Sequence, residues 1–159
     1  MLMTLNQLTG LPVVWQGSVV GQVDRGVMDD QARRLLGLII RHGLGAAKWV
    51  PSRSISLIGQ RCVVTAMRPL RLPQQLPSVA SRVYLPNGSL LGQVTDALLC
   101  RETQRVQALE ISESLMGHLM GRRRYAMDYQ MGHEDTGKAV VSALLSWAEL
   151  MESFKEERE

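Results

Sequence analysis

A chain of 159 residues with 45% hydrophobic side chains can build one ordinary domain or two small ones, and is too apolar for disorder. Residues 1–71 carry nine Lys/Arg against three Asp/Glu, while residues 138–159 carry three against five; the basic first half suits an anionic partner such as nucleic acid, an acidic protein surface or anionic lipid. No run of 18 apolar residues marks a membrane helix, MLMTLNQLTG is unlike a signal peptide, and Cys62 and Cys100 form no C-x-x-C, so a reduced cytoplasmic protein without a zinc site is expected.

In chain order, Pro12 to Trp15 reads as a short strand, and Gly17 as a turn. Val19 to Met28 and Arg33 to Arg41 form a hairpin around the polar turn Asp29-Asp30-Gln31-Ala32. Both strands carry apolar residues on both faces, which suits a small closed barrel better than an open sheet. Lys48 to Val50 and Arg61 to Ala66 are shorter strands. The stretch RPLRLPQQLP, with Pro69, Pro73 and Pro77, reads as an extended linker.

The pattern then starts again. Residues 17–23 are GSVVGQV and residues 88–94 are GSLLGQV. The offset of 71 residues also places Arg34 on Arg105, Leu35 on Val106, Leu38 on Leu109 and Ile40 on Ile111. A period this long indicates a duplicated small domain rather than a solenoid. Val79 to Leu85, Leu90 to Cys100 and Gln104 to Ser112 are the second set of strands, with Asn87-Gly88 and Arg101-Glu102-Thr103 as turns. Gly21 and Gly92 sit inside strands, where glycine marks a bend, a bulge or a close backbone approach. Ala139-Val140-Val141 reads as a last strand; the alternative is a helix beginning near Thr136. From Ala143 to Glu157 an amphipathic helix is expected, with Leu144, Trp147, Met151 and Phe154 as its apolar stripe and Trp147 as a buried anchor. The helix is expected to pack on its own second barrel, the alternatives being another copy of the chain or a partner. The expected architecture is mainly β: barrels at 1–68 and 78–142, a Pro-rich linker at 69–77 and a C-terminal helix at 143–159.

The ordered set of motifs resembles the PRC-barrel family, and its duplication resembles tandem bacterial PRC-barrel proteins. The positions that carry the resemblance are Leu8, Gly10, Pro12 and Val13; Gly17, Gly21 and Val23; Asp29 and Asp30; Leu38, Ile39 and Ile40; Pro51; and Ile58 and Gly59. The second copy keeps Gly88, Gly92, Val94 and Ile111, then departs: residues 112–137 are longer and lack the Pro step, with Met131-Gly132 standing for Ile58-Gly59. The resemblance implies a non-catalytic adaptor that docks on a protein complex, at the cytoplasmic face of a membrane assembly such as a photosynthetic reaction centre or the division machinery. The alternative it implies is an RNA-linked ribosome-assembly factor, by analogy with the C-terminal domain of the ribosome maturation factor RimM.

The residues themselves suggest no catalytic constellation. His42 lies in HGLGAAK, which is neither a P-loop nor a dinucleotide fingerprint. His133-Glu134-Asp135 is too local for a metal site, and no metal or cofactor is expected. Candidate contacts to an anionic or protein partner are Arg33, Arg34, Arg41 and Lys48 in the first half, and the run Arg122, Arg123 and Arg124 beside Tyr125. Peripheral membrane association and self-association are compatible with this charge and with the apolar stripe.

Overall fold

A computed structural model describes residues 1–79, 81–113, 123–132 and 138–158 of the chain. It is mainly β, with two curled half-barrel sheets and a C-terminal helix. The chain divides into two compact units: Met1–Ser78 with Leu98–Val106, and Val79–Ala97 with Gln107–Glu159.

The first unit begins with β1 (Leu2–Thr4) and the one-turn helix α1 (Leu5–Leu8), whose Thr4 and Gln7 form a reciprocal capping box. Then come β2 (Pro12–Trp15), β3 (Ser18–Met28), β4 (Leu35–Arg41), β5 (Lys48–Pro51), β6 (Ile55–Ile58), β7 (Val63–Thr65) and β8 (Leu70–Arg71). They form one sheet in the order β6-β7-β2-β3-β4-β5-β8. Pairing is antiparallel except between β2 and β7, which run parallel with Val13 opposite Val63. Val13, Leu38, Ile40, Val50 and Val63 are fully or almost fully buried in its core.

In the second unit β9 (Arg82–Tyr84), β10 (Leu90–Cys100), β11 (Val106–Ser112), β12 (Arg124–Ala126), β13 (Tyr129–Met131) and β14 (Lys138–Val141) precede α2 (Trp147–Glu156). The order is β12-β11-β10-β9-β14-β13, and β9 and β14 repeat the parallel pair with Val83 opposite Ala139. Gly59 N–H donates to Cys62 O in the first unit, and Gly132 N–H donates to Lys138 O in the second. Met131-Gly132 thus occupies the place of Ile58-Gly59.

The repeated heptapeptide has a steric cause. A Cβ on Gly21 would stand 2.9 Å from the carbonyl oxygen of Arg41, and one on Gly92 would meet the carbonyl of Ser112 more closely still. Arg41 and Ser112 are themselves one repeat apart, so each glycine lets the long strand pass over the end of its neighbour.

Several expectations change. The segment 69–77 is not only a linker: β8 pairs with β5, and Leu72 and Leu76 pack on the buried cluster of Val27, Ile39 and Trp49. Residues 98–106 belong with the first unit although they are the tip of the second hairpin. There β1 pairs with the end of β10, Leu2 opposite Cys100. Residues 138–141 are the expected strand, but the helix starts only at Trp147, where Ser146 and Glu149 form a capping box. Leu144 therefore lies outside the helix. Trp147 is 49% exposed rather than buried, because it occupies the first helical turn, where its ring tilts against Tyr125 with centroids 5.4 Å apart. Leu150 is the fully buried residue of α2, with Met151 and Phe154 partly buried.

Candidate functional site

A recess that sets several basic side chains around apolar surface lies in the first unit, a cleft of about 270 Å³ lined by Trp15, Val19, Val20, His42, Lys48, Arg68 and Pro69. Three pieces of local structure build it. A tight turn joins β2 to β3, with Gln16 at φ 50 and Gly17 at φ 77, which sets Trp15 directly across from Ser18. The bend permitted by Gly21 brings the start of β3 against the end of β4, next to His42. The chain leaving β7 then carries Arg68 and Pro69 back to β8, beside β5 and its first residue Lys48.

The chemistry divides cleanly. Trp15, Val19, Val20 and Pro69 supply apolar surface, and Val19 is 54% exposed. Lys48 and Arg68 are exposed cations and His42 an exposed imidazole, and among the described residues no carboxylate lines the cleft. Such a surface can bury one bulky apolar side chain while pairing with acidic neighbours of that side chain. With Trp15 as the one Trp, Tyr or Phe among its described lining residues, it offers no series of stacking platforms of the kind with which proteins hold single-stranded nucleic acid.

The residues anticipated from sequence fall in three places. Lys48 lines the cleft. Arg41 ends β4 next to it, but its Nε lies 3.5 Å from Asp24 Oδ2, so part of its charge is spent. Arg33 and Arg34 lie at the tip of the first hairpin, where their backbone N–H groups donate to Asp29 Oδ1. In the second unit Arg124 is exposed on β12, and Arg123 Nε lies 3.7 Å from Glu110 Oε1. Arg122 and the His133-Glu134-Asp135 stretch lie outside the described residues. Arg68 was missed because it opens the Pro-rich stretch read as a linker; its position directly before Pro69 gave no sign that the chain there turns back onto the sheet.

Glu110 is the other unanticipated group. It is 4% exposed, accepts a hydrogen bond from Thr95 Oγ1 at 2.9 Å, and sits beside Tyr125. Burial, and next the charge of Glu110, push the Tyr125 hydroxyl above its ordinary range.

Among the described residues no cluster of three or more His, Cys, Asp or Glu is arranged to hold a metal, and no helix is long and apolar enough to cross a membrane. No protein-family model matches the chain, and no curated protein matches it significantly.

Proposed function

We propose that the protein is a non-catalytic docking module made of two PRC-type β-barrels, working in the cytoplasm as an adaptor for a protein complex. The cleft of the first unit is its contact surface, and its partner is an acidic protein segment with one large apolar side chain. The observation that carries this reading is the arrangement of His42, Lys48 and Arg68 around an apolar floor with no carboxylate among the described lining residues. Protein surfaces recognise partners through such buried apolar anchors framed by complementary charge.

The test is fluorescence anisotropy with labelled peptides that place one Leu or Phe among aspartates, compared with the same peptides carrying lysines. The acidic series should bind, weaken as salt rises, and lose binding in the Lys48→Glu/Arg68→Glu double variant. Equal binding of acidic and basic peptides would sink the reading. Preferential binding of a labelled oligouridine, lost in the same double variant, would move the cleft to the RNA-linked alternative.

A further inference from the structure

Arg34 and Arg105 are equivalent positions of the two repeats, and within the first unit they meet each other. They form an isolated antiparallel bridge. Leu35 N–H donates to Gln104 O and Val106 N–H donates to Arg33 O, both at 2.9 Å. Shifting either bond by the repeat offset produces the other. The same holds inside each hairpin, where Asp29 N–H donates to Arg34 O and Cys100 N–H donates to Arg105 O. A local two-fold axis therefore passes between Arg34 and Arg105.

The bonds that flank this pair make it a non-hydrogen-bonded one, in which Cα atoms approach to about 4.5 Å and the two side chains project from the same face. Both arginines are exposed. Like charges directly opposite one another destabilise a β pair. Two of the three carboxylates in these turns are otherwise engaged. Asp29 Oδ1 accepts from the Arg33 and Arg34 amides. Glu102 Oε2 accepts from the Met1 amine and the Cys100 thiol, and the amine holds Glu102 down to about 2. Asp30 is exposed on the same turn. Among the described residues no carboxylate oxygen lies within 4.0 Å of either guanidinium.

We infer that the Arg34–Arg105 pair is an oxyanion site that takes a phosphate group on the local two-fold axis. Two guanidinium forks carried on one face by adjacent residues can offer paired N–H donors from both sides, and a tetrahedral phosphate carries a two-fold axis of its own that matches them. The ligand neutralises the like-charge contact that the hairpin pairing creates. This site is separate from the cleft and does not depend on the docking reading.

The experiment titrates the full chain with inorganic phosphate, phenyl phosphate or dimethyl phosphate, following arginine Nε–H signals by NMR and thermal unfolding in parallel. Phosphate should shift the signals of Arg34 and Arg105 together and raise the melting temperature, beyond any effect of chloride at equal ionic strength. Phenyl phosphate binding as well as phosphate assigns the site to monoesters; binding of inorganic phosphate alone assigns it to the free ion. Preference for the diester over both would assign the site to phosphodiesters, whose two free oxygens share a two-fold axis. R34Q and R105Q should each lose at least tenfold in phosphate affinity, while R53Q, on an exposed turn elsewhere, should not. In phosphate-free buffer of low ionic strength both variants should melt no lower than the parent, which shows that they fold. Equal shifts with chloride, a response from one arginine alone, or unchanged affinity in R105Q would overturn the site.

Discussion

One position of the fold is solved twice, once with oil and once with charge. In the first unit Ile39 pairs with Trp49, and both are buried with Val27 beneath Leu72 and Leu76. One repeat later Glu110 stands in the place of Ile39 and Tyr125 in the place of Trp49, with Thr95 and Arg123 as polar neighbours. The covering segments correspond as well: Leu70 pairs with Trp49, and Leu145 pairs with Tyr125. The backbone register is kept while the chemistry inverts. A hydrophobic site needs only volume, whereas the polar one needs an acceptor for each donor it buries.

Trp49→Ala should break the apolar version most severely, by about 3–5 kcal/mol in denaturant unfolding, because the ring is 7% exposed and its loss leaves a large cavity. Leu150→Ala, which removes the buried contact of α2 in the second unit, should cost about 2–5 kcal/mol. Copying the first unit into the second by Glu110→Ile should cost about 1–3 kcal/mol, since Thr95 loses its side-chain acceptor. Adding Thr95→Val should recover part of that loss, and a double-mutant cycle measures the coupling. A cycle with no coupling would mean that the two polar groups do not work as a unit. Trp147→Ala should cost only about 0.5–1.5 kcal/mol, the worth of a half-exposed aromatic pair with Tyr125.

The smallest effect is a pH dependence of α2. Hydrogen bonds from the Ser146 backbone and side chain hold the Glu149 carboxyl below its ordinary value of 4.5. A depressed carboxylate stabilises the fold above its unfolded value and loses that contribution as pH falls through the lower folded value. Amide protection at residues 147–150, corrected for the intrinsic pH dependence of exchange, should therefore fall on acidification below about pH 4.5 in the parent, and Glu149→Gln should flatten the profile.

Much of the β architecture was readable because it is local. The hairpins of both repeats announce themselves through Gly17, Asn87-Gly88 and the long Val/Leu strands, and the repeat itself supplied the second copy. What escaped depends on partners distant in sequence. Leu70 and Leu72 look like linker residues until Trp49 is beside them. Residues 98–106 follow their own hairpin in sequence but complete the first unit in space. The helix boundary was within reach, since Ser146-x-x-Glu149 is a capping-box pattern, as is Thr4-x-x-Gln7 for α1. Counting the apolar stripe from Leu144 instead placed Trp147 inside. Arg68 carried no signal of its own, and Glu110 showed only as a lone acid in an apolar run.

The parallel pairing of β2 with β7 sets the entrance of the first repeat beside its exit. A segment whose two ends lie together can be copied in tandem with a short junction and no rebuilding of its interior. That geometry makes tandem duplication an inexpensive step for this fold, and it leaves each copy free to fill the same position in its own way, one with an isoleucine and the other with a glutamate.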